Sequence, residues 1–259
     1  MRTQLRQFFL TSFLFVTAVF GQAQAGEPLQ VLFVGNSYTF YNQLPLMVRQ
    51  MSVEARQPRA LEVKDVTVAG SSLKQHWARG EVQKVLASQH WDYVVIQDFS
   101  LMPLQDAEST RKYAGLVAQA ARQAGAQPIF YLTWARQNDP SMQSTLDAVY
   151  TQVAKENHGL LAPVGDAWKV ALASQPQPTL FIADGSHPTY TGSYLAASVF
   201  YSLIYGNPPP APQAAQSSRF EHATAAELQQ DAWTALQSVD IALRTVPAGL
   251  GGATVQATR

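Results

Sequence analysis

Five short apolar runs, each followed by a stretch with helical spacing, constrain this chain more than any other feature. The runs are Leu29–Val34 (LQVLFV), Leu61–Ala69 (LEVKDVTVA), Tyr93–Gln97 (YVVIQ), Gln127–Thr133 (QPIFYLT) and the weaker Leu160–Val164. Between them lie Leu44–Arg56, Ser71–Ser88, Ala107–Ala124 (stopped by Gly125) and Met142–Asn157, with apolar residues recurring at helical intervals. Buried strands separated by helices of about a dozen residues or more imply βαβ crossovers, hence a parallel sheet with helices on both faces. The spacing predicts an α/β fold: a three-layer α/β/α domain around a five-stranded, mostly parallel sheet. Beyond the fifth run the pattern changes. Asp166–Ser174 reads as a short helix and Tyr190–Tyr205 as a strongly apolar one behind Pro188, while Asn207–Ser218 is a proline-rich connection. Thr224–Leu243 returns to helical spacing with Leu228, Trp233, Leu236, Val239 and Leu243 on its apolar face, and Val246–Arg259 has little to bury and reads as a loose tail.

The first 25 residues stand apart. Arg2 and Arg6 precede the apolar run Phe8–Phe20, and Ala23-Gln24-Ala25 comes after it. A basic start, a short apolar core and an A-x-A end are the pattern of a cleavable secretory leader, and a run of 13 residues falls short of the roughly 20 that span a bilayer. Cleavage after Ala25 leaves 234 residues, and the loss of Arg2 and Arg6 turns 18 basic against 18 acidic groups into 16 against 18, a net charge of −2. The expected organisation is therefore a leader over 1–25, one domain over 26–245 and a tail over 246–259, with the mature protein periplasmic or released and without a stable membrane anchor. Balanced charge offers no electrostatic footprint for nucleic acid. The complete lack of cysteine excludes disulfides, thiolate metal sites, a cysteine nucleophile and a lipoprotein anchor. The histidines His76, His90, His158 and His222 show no ligand spacing, so neither a metal nor any other cofactor is expected.

In an open parallel sheet, ligands bind beyond the carboxyl ends of the strands. The residues just past each run are therefore informative. The first run leads into Gly35-Asn36-Ser37-Tyr38, the second into Gly70-Ser71-Ser72, the third ends in Gln97-Asp98-Phe99-Ser100 and the fourth in Thr133-Trp134-Ala135-Arg136. Asp184-Gly185-Ser186-His187-Pro188 comes near the end of the folded region. A serine, a glycine turn, an amide and an Asp-x-x-His thus converge on one rim.

These segments resemble the blocks of the SGNH (GDSL-type) hydrolase superfamily, over roughly Leu29 to Tyr205. VLFVGNSYTF is similar to the first block, VTVAGSS to the second and DGSHPTYTGSYLAA to the last. The third departs: where the family commonly shows Gly-x-Asn-Asp, this chain has VVIQDFS, with Gln97 in place of the amide. The resemblance implies a flavodoxin-like three-layer fold, Ser37 as nucleophile, His187 as its base, Asp184 as the group that orients the imidazole, and an oxyanion hole from the backbone N–H groups of Ser37 and Gly70 with the Gln97 side chain. It implies hydrolysis of a carboxylic ester. An exported member without a hydrophobic lid points to short acyl groups, such as O-acetyl groups on carbohydrate.

That chemistry needs these residue types. A serine hydroxyl is a poor nucleophile until a base accepts its proton, a carboxylate on the second ring nitrogen fixes the tautomer, and donors must already stand where negative charge develops. Each residue also has a structural reading. Ser37 could cap a helix, Gly70 could serve only a tight turn, Asp184 and His187 could form an ordinary turn with Pro188, and Gln97 could satisfy loop backbone. Tyr38, Trp134, Arg136 and Tyr190 are candidates for lining a pocket for a small-molecule or carbohydrate ester, against packing beneath the loops. Asn36 is expected to shape the turn around the nucleophile. The altered third block leaves a second function open, a non-catalytic exported binder on the same scaffold. The oligomeric state is not legible.

Overall fold

The computed structural model describes residues 26–210, 220 and 224–246. The expected leader, most of the expected proline-rich connection and all of the expected tail except Val246 lie outside the described residues. Val246 itself packs against the core.

The sheet contains β1 (Leu29–Gly35), β2 (Leu61–Thr67), β3 (Tyr93–Ile96), β4 (Gln127–Tyr131) and β5 (Leu160–Ala162), in the order β2-β1-β3-β4-β5. Every pairing is parallel. The expected α/β class and three-layer architecture are observed, and the sheet is parallel throughout rather than mostly so. Side-chain alternation explains the layers. Along β1, Val31 and Phe33 enter one apolar cluster with Val95, Ile129 and Tyr131, while Leu32 and Val34 enter the other with Val94, Ile96 and Phe130. Successive residues of a strand face opposite sides, so a run apolar at every position needs cover on both.

The helices supply that cover. In chain order they are α1 (Ser37–Phe40), α2 (Leu44–Glu54), α3 (Leu73–Arg79), α4 (Glu81–Leu86), α5 (Met102–Gln105), α6 (Ala107–Gln123), α7 (Met142–Glu156), α8 (Val164–Leu172), α9 (Tyr190–Tyr205) and α10 (Ala225–Ser238). Residues of α2, α8, α9 and α10 cover the first cluster, and those of α3, α4, α6 and α7 cover the second. Every residue of α9 from Thr191 to Leu203 is buried, because α10 packs outside it and leaves it no wet face. Two expected helices are shorter than their periodicity. Ser71–Ser88 breaks into α3 and α4 at Gly80, and Thr224–Leu243 ends at Ser238, after which the Asp240 carboxylate caps a separate 3₁₀ turn over Ile241–Leu243. In the first case the left-handed Gly80 ends the helix; in the second the chain turns extended at Val239, so in both the backbone breaks a hydrophobic period that continues through it.

The strand order reverses direction between β1 and β3. That switch point opens a crevice at the carboxyl edge of the sheet, where the loops after β1 and β3 diverge.

Candidate active site

The chain leaves β1 through Gly35, where a side chain has no room. A Cβ there would lie 2.4 Å from Thr39 Oγ1 and 2.5 Å from Gln97 Oε1. Asn36 comes next, 2% exposed, and caps α1: its Oδ1 accepts from the Tyr38 N–H, and its Nδ2 donates to the carbonyls of Ser71 and Asp98. One buried side chain thereby joins the loops after β1, β2 and β3. Ser37, half-buried at the start of α1, is held where these loops meet.

The last loop reaches across to it. Ser37 Oγ lies 2.8 Å from His187 Nε2, and His187 Nδ1 lies 2.5 Å from Asp184 Oδ2. The other carboxylate oxygen of Asp184 accepts the backbone N–H groups of Ser186 and His187, each at 2.9 Å. Desolvation, the largest single influence on Asp184, pushes its carboxyl up, but the hydrogen bonds from His187 and Ser186 together outweigh it and hold it below the ordinary carboxylate value. The Tyr41 ring stacks on the imidazole at 4.6 Å, and the Tyr38 ring meets it edge-on at 5.5 Å. The three residues expected to act together therefore meet, although 147 or more positions separate Ser37 from the other two.

The cavity beside them, about 450 Å³, is lined by Ser37, Gly70 and His187 together with Tyr41, Phe99 and Ser100. Gly70 adopts φ +66°, a conformation that strains other residues, and its surroundings are open. The backbone N–H groups of Ser37 and Gly70 make no hydrogen bond to another group among the described residues. They remain available as donors.

Gln97 requires a correction. Expected as a third donor to the oxyanion, it is 0% exposed and its amide is fully occupied inside the protein. Its Oε1 accepts from the Asn36 N–H and Thr39 Oγ1, while its Nε2 donates to Asn36 Oδ1 and to the Asp98 carbonyl. The extra methylene carries the amide beneath the nucleophile loop rather than into the cavity.

The aromatic candidates also divide. Trp134 is 1% exposed, stacked between Tyr38 at 4.5 Å and Trp168 at 3.9 Å, and its indole N–H donates to the Ser186 carbonyl. It braces the histidine loop from behind and is absent from the walls of the catalytic cavity, but it does line a neighbouring cleft with Arg136 and Trp168. Tyr38 lines that cavity, but its phenol is bound to Ser186 Oγ at 2.6 Å; burial raises its pKa despite that bond. Tyr190 lies elsewhere, packed near Phe220 and lining a separate hollow with Tyr194 and Asn42. Arg136 does line the cavity. Sequence reasoning missed Tyr41 and Asn42. The latter adopts φ +52° and ties the nucleophile segment to the histidine loop by donating to the carbonyls of Pro188 and Thr189. An aromatic four residues after the apparent nucleophile was the one available signal for Tyr41; nothing local marks Asn42.

A three-layer α/β domain with a serine hydroxyl bonded to a histidine beyond the carboxyl edge of its sheet has the form of an SGNH-type hydrolase. No family model and no curated relative matches the chain. Solved structures do. A protein from Slackia heliotrinireducens assigned to the SGNH hydrolases is 27% identical and superposes with a TM-score of 0.61, covering 69% of this chain and 100% of its own. A DUF4886 family protein from Bacteroides uniformis is 17% identical with a TM-score of 0.69, covering 82% of this chain and 96% of its own. The acetylxylan esterase Axe2 from Geobacillus stearothermophilus is 16% identical with a TM-score of 0.57, covering 68% and 94%. The last two likenesses bear on the fold alone. With the sequence blocks and the site geometry, the likeness to the Slackia protein supports the SGNH hydrolase superfamily and an ester-bond hydrolase.

Proposed function

We propose that this protein is an exported serine esterase that removes a short acyl group from a carboxylic ester. The observation that carries the reading is the continuous hydrogen-bonded path from Ser37 Oγ through the His187 ring to Asp184, at 2.8 and 2.5 Å. Ser37 Oγ attacks the ester carbonyl while His187 Nε2 takes its proton. The ionised Asp184 keeps the second ring proton on Nδ1 and stabilises the imidazolium. Negative charge developing on the carbonyl oxygen meets the free N–H groups of Ser37 and Gly70. His187 then passes its proton to the departing alcohol, and a water activated by the same ring releases the acid from Ser37. Export rests on the leader pattern of residues 1–25. Short acyl groups rest on an open, partly aromatic cavity, and a carbohydrate alcohol on the acetylxylan esterase among the structural neighbours.

The inward turn of Gln97 favours a second reading, a binder that has lost one oxyanion donor. Hydrolysis of p-nitrophenyl acetate, butyrate and octanoate, with Ser37→Ala beside the native sequence, tests the first reading. Turnover that falls with chain length and disappears in the variant is the expected result. Folded protein that neither turns over any ester nor reacts with a fluorophosphonate at Ser37 would establish the binder instead.

A further inference from the structure

Arg136 stands where two cavities meet. It lines the catalytic cavity beside His187 and also a second cleft of about 470 Å³, whose walls include Trp168, Lys169, Gln137 and Phe181. Its guanidinium makes no ion pair among the described residues, and its Nε is buried without a hydrogen-bond partner there. The indole N–H of Trp168, in the same cleft, is likewise buried and unpartnered. Buried donors are normally satisfied, and a guanidinium most of all, because its charge makes desolvation expensive. The neighbouring cation is different: Lys169 is held by Asp166 at 3.1 Å and Asp147 at 3.5 Å. Arg136 thus brings to the cleft a cation with no directly paired carboxylate among the described residues, presented by a planar fork of donors that matches a carboxylate.

The side on which Arg136 lies gives that charge a place in the reaction. His187 must reach the alcohol oxygen to protonate it, so the alcohol half of the ester extends past the histidine loop. The second cleft is built against that loop: Gln137 N–H donates to the Gly185 carbonyl at 2.8 Å, and Phe181 belongs to both loop and cleft. We propose that this cleft receives the alcohol half of the substrate and that Arg136 holds a carboxylate on it, which makes the substrate an acylated hydroxy acid, such as an O-acylated acidic sugar. One unpaired guanidinium among the described residues of the cleft suits a monoanionic carboxylate better than a dianionic phosphate. This inference deepens the esterase reading and rests on it for the direction in which the alcohol leaves.

Two measurements test it. Binding of methyl glucuronide and of methyl glucoside is compared by calorimetry on the native protein, on Arg136→Gln and on Arg136→Lys, with thermal unfolding run beside them to certify the fold. The kcat/KM for acetylated forms of the same two sugars is compared on the same proteins. The carboxylate form is expected to bind about 10- to 100-fold more tightly than the neutral one, the scale of a hydrogen bond to a charged group. The kcat/KM ratio should move with it, mainly through KM. Both preferences should fall to about one in Arg136→Gln and be partly kept in Arg136→Lys, where the charge remains without the fork. Equal binding of the two sugars by the native protein, or a preference untouched by Arg136→Gln, overturns the proposal. A carboxylate preference in binding that depends on Arg136, in a protein that reacts with no ester and no fluorophosphonate, would keep the anion site and remove the esterase reading.

Discussion

Two aspartates in this molecule make the same set of bonds in opposite surroundings. Asp98 accepts the backbone N–H groups of Leu73 and Phe99 on one carboxylate oxygen and the Thr110 hydroxyl on the other, all at 2.8 Å. Asp184 accepts the N–H groups of Ser186 and His187 on one oxygen and the His187 ring on the other. Asp98 is 1% exposed, and its bonds join the end of β3, the start of α3 and the first turns of α6. The Asp184 side chain is 43% exposed, and all its partners lie within three residues. Burial decides the electrostatics. Desolvation is the largest influence on Asp98 and raises its pKa in spite of three hydrogen bonds, whereas at Asp184 the hydrogen bonds prevail and the pKa falls. The two carboxylates divide the labour: the inward one ties together the loops after β2 and β3 that adjoin the Ser37 loop, and the outward one keeps a charge available beside His187.

Substitutions should separate the two sharply. The largest effect is expected at the exposed site and mainly in activity: Asp184→Ala and His187→Ala should each lower kcat/KM for an activated ester by about 10³- to 10⁴-fold. Their urea midpoints should stay close to that of the native protein. An unfolding shift as large as the activity loss would erase the distinction. Asp98→Ala comes next and should act on stability, costing about 3 kcal/mol because three donors lose their acceptor in a dry site. Asp98→Asn should cost less than about 1 kcal/mol, since the amide oxygen can keep both backbone N–H groups and the charge no longer has to be desolvated; equal losses in the two variants would mean the charge itself holds the loops.

The smallest effect is a pH dependence of opposite sign. A carboxyl whose folded pKa is lowered contributes stability above its unfolded value of 3.8 and loses it as the pH falls through the folded value. The stability gap between native protein and Asp184→Asn should therefore close as the pH drops below about 3.8. A carboxyl whose folded pKa is raised costs stability as the pH rises above 3.8 and through the folded value. Asp98→Asn should accordingly gain on the native protein over that rise, in urea titrations at successive pH values. Parallel trends in the two variants would remove the contrast between the two carboxylates.

Much of the fold was legible because its signals are local. Runs apolar at every position, such as VLFV and YVVI, demand cover on both faces, and the helical stretches between them allow little but parallel crossovers. Element ends were less legible: the left-handed Gly80 and the extended Val239 end helices whose hydrophobic spacing runs on, so the period misled where the local backbone prevailed. Within the site, the four strand-end segments and the Asp-x-x-His pointed to one rim because topology alone sends those ends there. Side-chain direction was another matter. Trp134 and Arg136 leave the same strand two residues apart, yet Trp134 is almost wholly covered between Tyr38 and Trp168 and reaches only the second cleft, whereas Arg136 opens onto both cavities.

The order of strands and helices, and the rim at which Ser37, Gly70 and His187 gather, can thus be read from the amino-acid sequence, because hydrophobic period and strand-end position are properties of neighbouring residues. Three outcomes came from tertiary packing instead: Gln97 turns beneath the nucleophile loop, Trp134 is covered on the side of the catalytic cavity and reaches only the second cleft, and Arg136 keeps its charge without an ion-pair partner among the described residues. They depend on which polar and aromatic groups arrive from distant segments to fill each space and satisfy each donor, and no local pattern encodes that.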